Sequence, residues 1–391
     1  MPHMIKFWPF TFSFLQFASI ASVMPFLVLY YQSLGFNGPQ IGLLTGITPL
    51  IIFVSAPLWT GFADAKHKHR LMMSLAILGS VIALFIFPYP IAFLQVGLIA
   101  ILLFFCLGPI TPFADSATMF MLAGERELYG RIRLGGTIGF GLVAPVAGLF
   151  VQNYGSEFAF WIGGALLFLG FFVSLKLVYG RAKIDNPVKG RVRVLLSNPR
   201  WLLFLIVAFA GGMAMVVYNN YLFPYMKELG ANESMMGIAL MVGTISEIPV
   251  LFFGNRLIRR FKAYGLLMLS MVVTGLRLLL FATAGTPSAI LVIQLLNGLT
   301  FPAMWVAGVS YAYEKASADM SSTAQGLFTA MVFGVGSAVG GFIGGLLLES
   351  IGGRGLYYIF GIVVLAIVGI VGLVHRRLPV EQMPSLNAVV D

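Results

Sequence analysis

Charge is what this sequence has least of. Of its 391 residues only 10% are Asp, Glu, Lys or Arg, and 59% are hydrophobic, whereas soluble domains carry about 25% charged residues. No charged side chain occurs from Phe7 to Ala63, from Leu71 to Ala114, or from Leu278 to Tyr313. A water-soluble fold is thereby excluded, because a core of this size could not hide so much apolar surface. Cysteine is nearly absent as well. The single Cys106 excludes an intramolecular disulfide and a thiolate cluster, and the four histidines have no metal-ligand spacing, so neither metal nor cofactor is expected. The glycines after the arginines in "YGRIRLGGTIGFG" (129–141) lack the spacing and the preceding strand of a phosphate loop. With no nucleophile paired to a base either, the chain does not read as an enzyme.

The apolar runs are each too long for one bilayer crossing of roughly 20 residues. Each is broken once by turn chemistry, at Gly35-Phe-Asn-Gly38-Pro39, at Pro88-Tyr-Pro90 and at Ala284-Gly-Thr-Pro287-Ser, and so contains two helices. The segments show no period-2 alternation, which excludes membrane strands. The sequence predicts an all-α polytopic membrane protein with twelve helices, at about 5–33, 40–63, 70–88, 91–121, 131–153, 156–178, 200–228, 235–260, 264–284, 288–313, 320–349 and 355–376. The first apolar stretch is far longer than a signal-peptide core and is expected to remain as a span.

The formal net charge of +10 is a topology signal. With every second loop and both termini assigned to one side, that side holds all the basic residues except Lys227, Arg277 and Arg354. The positive-inside rule then places both termini in the cytoplasm, as an even helix count requires. A nucleic-acid partner is not expected. The expected setting is a bacterial inner membrane, with the lipid bilayer, protons and a small-molecule substrate as partners and the chain a monomer.

The longest polar connection, Tyr179 to Asn198, divides the chain into a six-helix bundle at 1–178, a cytoplasmic linker at 179–199 and a second six-helix bundle at 200–391. The halves echo each other: "PLWTGFADAKHKHR" and "PVLFFGNRLIRRFK" both put a proline in a helix before a short basic loop. Glycine recurs every fourth residue in the eleventh helix, at Gly336, Gly340 and Gly344 and again at Gly341 and Gly345, which lets helices approach closely. Two six-helix repeats are the plan of transporters whose substrate site lies near the midplane between the halves.

Charges inside helices are expensive and mark function by default. Four stand out. Asp115 lies ten residues before Glu125, roughly 15 Å deep at 1.5 Å per residue. Arg133 opens the fifth helix, and Glu247 and Arg277 sit mid-helix in the eighth and ninth. One acid and one base fall in each half, either as structural ion pairs or as parts of a substrate and proton path. Uncharged polar groups are expected to face inward beside them: Ser13, Gln16 and Ser19; Tyr218 and Asn219; Gln294, Asn297 and Thr300.

The pattern Tyr129-Gly130-Arg131-x-Arg133-x-x-Gly136-x-x-Gly139-Phe140, with "PFAD" upstream at the same acid-to-arginine spacing, resembles the fourth and fifth helices of the lactose-permease-like oligosaccharide:proton symporter branch of the major facilitator superfamily. The resemblance implies the major facilitator fold, and it implies that Asp115 and Arg133 grip substrate hydroxyls while Phe140 stacks on a ring. Gln16, Tyr218, Asn219, Asn297 and Thr300 are the further expected substrate contacts. "GFADAKHKHR" resembles the superfamily's gating loop, which implies a conformational latch on Asp64 and Arg70; Thr60 stands where glycine is usual. The chain departs from the branch in the tenth helix. Aligned on Pro302, Gln294, Asn297 and Thr300 replace its charged residues, so Glu247, with Arg277 and Asp115, is left as the expected proton-coupling group. The reading is a secondary transporter, either a proton-coupled symporter of a sugar, nucleoside or aromatic acid, or a drug or metabolite efflux antiporter.

Overall fold

A computed structural model describes residues 2–122, 128–180, 195–316 and 320–378. Glu125 and Arg126, and Arg181 to Arg193 of the expected linker, lie outside the described residues. The described residues are helical with no strand, and the membrane-length helices are α1 (Phe7–Ser33), α2 (Gly38–Lys66), α3 (His69–Ile86), α4 (Phe93–Met121), α5 (Tyr129–Tyr154), α6 (Glu157–Ser174), α7 (Pro199–Glu228), α8 (Glu233–Phe261), α9 (Ala263–Thr283) and α10 (Pro287–Lys315), followed by the segment Thr323–Arg377. That last segment has 55 residues, which at 1.5 Å per residue would be roughly 80 Å long, far beyond a bilayer core of about 30 Å. It turns at Gly352, whose φ of 69° and ψ of 177° no helix contains, and so comprises α11 (323–351) and α12 (353–377).

The turns that split the apolar runs do so by capping. Asn37 accepts the Gln40 N–H while Gln40 Oε1 accepts the Asn37 N–H, with Gly38-Pro39 opening α2 between them. Asn198 before Pro199, Asn232 before α8 and Thr286 before Pro287 act in the same way. Several helices are discontinuous inside the membrane. A 3-10 turn interrupts α1 at Met24–Phe26, α4 breaks between Leu107 and Ile110, a 3-10 stretch occupies Gln294–Leu299 of α10, and a π-helical stretch occupies Ala330–Gly336 of α11. Such irregular backbone is tolerated at membrane depth where protein or a cavity surrounds it.

Packing repeats between the first six helices and the last six. Helix α1 packs on α5 and α6, α7 packs on α11, α3 on α6, and α9 on α12. The two sets meet through α2 against α11 and α5 against α8. Among the described residues, the hydrogen bonds joining the two sets all lie at the end that carries the α1–α2, α5–α6, α7–α8 and α11–α12 connections: Gly38 to Glu349, Thr45 to Tyr221 and Gly341, and Ser234 to Gln152. Among the described residues no such bond joins the two sets at the opposite, open end.

Glycine permits the contact at the closed end, and two faces of α11 use it differently. Gly336, Gly340 and Gly344 press on α7, against Phe209 O, Met213 and Tyr221. Gly341 and Gly345 press on α2, where Gly38, Gly42 and Gly46 form a matching strip. The first face joins helices of one set; the second joins the two sets. Gly340→Val should therefore lower the detergent melting temperature, because overpacking an internal interface costs about 1–3 kcal/mol. Gly345→Val, whose Cβ would stand 2.4 Å from Gly42 Cα, should instead part the closed end with a smaller loss of melting temperature. Thiol-labelling of a cysteine placed at Thr45 reads that parting, and equal labelling in both variants would contradict the assignment of faces.

Candidate functional site: two polar centres in the membrane

The first centre is a small cleft within the first six helices. Asp115 and Arg133 stand in it as a direct ion pair. Arg133 Nη1 donates to both Asp115 oxygens at 2.9 Å and lies 3.3 Å from the Tyr129 hydroxyl, one turn earlier on α5. Their side chains are 42% and 38% exposed, so the pair faces the cleft. The Arg133 guanidinium also lies over the Phe17 ring, 5.5 Å from its centroid. Gln16, on α1, donates through Nε2 to Thr111 Oγ1 at 2.6 Å and lines the same cleft with Ser13 and Thr118. Arg133 uses Nη1 alone on the acid; its other donors are free for a hydroxyl or carbonyl.

Phe140 is half-buried but is not among the residues lining this cleft. Phe17 is the aromatic beneath the guanidinium. Sequence reading also passed over Thr111 and Thr118, although their spacing from Asp115 puts all three on one helical face. Ser19 faces elsewhere, donating to Gly163 O at 2.7 Å and joining α1 to α6.

The second centre lies in the last six helices and is closed. Arg277 is 2% exposed. Its Nη1 donates to Asn297 Oδ1 at 2.7 Å and to Thr300 Oγ1 at 3.0 Å, and its Nη2 donates to Gln294 Oε1. The Tyr218 and Phe281 rings sandwich it at 4.8 and 5.1 Å. The 3-10 stretch of α10 places Gln294 and Asn297 in this cage, with Thr300 at its end. Glu247 is not in direct ion pairing with Arg277. Asn297 stands between them, giving Oδ1 to the arginine and donating from Nδ2 to Glu247 Oε1 at 2.7 Å. Of the two ion pairs that the intramembrane charges suggest, one forms directly and the other runs through a neutral amide. Tyr218 is buried in the cage, and Asn219 beside it is exposed.

At the open end Asp64 pairs with a histidine. Asp64 Oδ1 lies 2.6 Å from His69 Nε2, across the α2–α3 turn that His67 closes in a left-handed conformation (φ 53°). The His69 ring stacks on Tyr179 at 5.7 Å. Arg70 is exposed and is in no ion pair among the described residues.

The two arginines should therefore differ in what their loss does to stability. Arg277→Met strands three buried acceptors, each worth about 1–3 kcal/mol when left unpaired, and should depress the detergent melting temperature strongly. Arg133→Met should change it little, because water in the cleft can serve Asp115. Equal melting temperatures for the two variants would contradict the contrast.

The comparisons with known proteins agree with this architecture. The sequence matches the MFS_1-like family over residues 10–359. It is 25% identical to the maltose permease of Geobacillus stearothermophilus over 94% of this chain and 93% of that protein. It is 26% identical to the multidrug resistance protein MdtG of a Rahnella species over 95% of this chain and 93% of that one. The crystal structure of the nucleoside transporter NupG superposes with a TM-score of 0.84 at 20% identity, covering 95% of this chain and 99% of that chain, a likeness of fold. Matched along most of its length and folded as twelve spans around two polar centres, the chain belongs to the MFS_1-like family of major facilitator transporters and is not an enzyme.

Proposed function

We propose that the chain is a proton-coupled symporter of a neutral, hydroxyl-bearing organic solute of sugar or nucleoside type, working by alternating access between bundles 1–178 and 200–391. The observation that carries this reading is the division of labour between the two centres. The cleft offers a neutral Asp115–Arg133 pair with free donors and acceptors, set among Gln16, Ser13, Thr111 and Tyr129, over the Phe17 ring. Such a surface suits hydroxyls and one apolar ring face. An aromatic acid is the weaker fit, because Arg277, 2% exposed, is buried outside the cleft and held there by three neutral oxygens. Maltose permease and NupG, among the relatives above, carry names of this substrate class; MdtG keeps efflux as the competing outcome.

Glu247 is the proposed proton carrier. A carboxyl held by an amide keeps its partner in either protonation state, since Asn297 Nδ2 can donate to a carboxylate or to the carbonyl of the acid. Asp115 is instead tied to Arg133 by two bonds. The same features favour protons over a metal cation, because each acid already has a resident cation close by. The charge asymmetry of the loops supports a bacterial inner-membrane orientation with both termini cytoplasmic. The closed end is then the outer one, the cleft faces the cytoplasm, and the Asp64–His69 contact lies at the cytoplasmic gate. A monomer suffices, since both centres are built within one chain.

Uptake into proteoliposomes tests the reading. An imposed inward proton gradient should drive accumulation of a sugar or nucleoside against its own gradient. Proton-driven extrusion of lipophilic cations instead would establish the efflux reading. Glu247→Gln should abolish gradient-driven accumulation while solute exchange at equal pH continues; full accumulation in this variant would remove Glu247 as the carrier. Arg133→Lys should raise the half-saturating solute concentration about tenfold or more, since lysine cannot reproduce the guanidinium fork. An unchanged value would remove Arg133 from the binding surface.

A further inference from the structure

Glycine lets the closed end come together, but hydrogen bonds decide how firmly it stays. Each of the two helices that cross this interface begins with an asparagine cap. In α2 the capping box satisfies the Asn37 and Gln40 N–H groups, both at 3.0 Å, and Pro39 has no N–H. Gly38 is left with a free donor. It donates at 2.7 Å to Glu349 Oε2, which comes from α11 in the other set of six. In α8, Asn232 Oδ1 accepts the Met235 N–H at 2.9 Å, and the Ser234 N–H is left over. It donates at 3.4 Å to Gln152 Oε1, which comes from α5 in the first set.

The arrangement is reciprocal. Helices α2 and α8 are the second of their sets, and α5 and α11 are the fifth. Each fifth helix ends in a side chain that completes the N-terminus of the other set's second helix. We infer that this exchange of caps is the latch of the closed end, and that Glu349 is its stronger member. Both contacts join opposite sets, so both must break when this end opens. The two caps are unequal for electrostatic reasons. Glu349 brings a negative charge to the positive end of α2 and makes a short, charge-assisted bond. Gln152 is neutral, its bond is long, and Glu233 already supplies a negative charge in the first turn of α8. The Gly38 contact also admits no side chain, since a Cβ there would stand 2.4 Å from Gly345 O and 2.6 Å from the Glu349 carboxylate.

The inference rests on the alternating-access reading, and one measurement separates the two. Nitroxides are placed by Ser33→Cys and Lys227→Cys, exposed positions on opposite sets at the closed end, and their separation is measured by pulsed electron resonance in proteoliposomes. Wild type should show a dominant short distance and a minor long one. Glu349→Ala should raise the ratio of long to short about fivefold, the factor corresponding to a lost cap of about 1 kcal/mol. Glu349→Gln, which keeps an acceptor but loses the charge, should raise it by a smaller factor, and Gln152→Ala should raise it less than Glu349→Ala. Two populations in wild type whose ratio is unchanged by both Glu349 variants would overturn the latch. A Gln152→Ala effect larger than that of Glu349→Ala would overturn the ranking. A single distance in wild type that no transported solute alters would overturn the alternating-access reading beneath it.

Discussion

Hydrocarbon supplies no hydrogen bonds, and most of this structure follows from having to find them within the chain. A backbone or side-chain polar group stranded in lipid costs several kcal/mol. The helices answer for their own interiors, but each helix end, each break and each buried charge needs a partner from elsewhere. Where the partner lies decides what can move. Partners within one set of six, such as Ser19 on Gly163 or Tyr225 on Phe281, weld that set together. Partners between the sets, such as Tyr221 on Thr45, exist only while one end is shut.

The two polar centres solve the problem of a buried charge in opposite ways. In the first set the charges neutralise each other directly and face the cleft. In the second set the guanidinium is caged by neutral oxygens and two rings, and the nearby acid is reached only through Asn297. A direct Glu247–Arg277 pair would lock the carboxyl in its charged form; a neutral spacer leaves the acid hydrogen-bonded without committing its charge. The irregular backbone of α10 serves this end, because its 3-10 stretch brings Gln294 and Asn297 onto one arginine.

The helices were legible because their signal is redundant. Long chargeless runs, asparagine and proline at the breaks, and lopsided basic loops all point to the same twelve spans, and the turn at Gly352 falls between the last two of them. Asp115 and Arg133 were legible because a fixed spacing puts them on facing ends of consecutive helices. Arg277 was legible as a charge inside the membrane, but its partners were not, since pairing opposite signs ignores that neutral oxygens on α10 can hold a guanidinium. The partner of Asp64 was not legible, because the left-handed turn at His67 is what brings His69 around to it.

The glycines hold the last lesson. A repeat every fourth residue says that something comes close, and on α11 two such repeats run side by side, one residue apart at Gly340 and Gly341. Nothing in the spacing tells which strip meets a helix of its own set and which meets a helix of the other. The distinction comes from the partner strips. Gly340 lies on Met213 of α7, within its own set, and Gly341 lies on Thr45 of α2, across the interface. A permanent contact can afford bulky complementary side chains such as Tyr221 and Met213. A contact made and broken in every cycle is better built from backbone against backbone, as at Gly42 and Gly345, because small residues have few rotamers to order when they meet and little apolar surface to expose when they part. The few hydrogen bonds laid over that strip then set the balance between the closed and open ends.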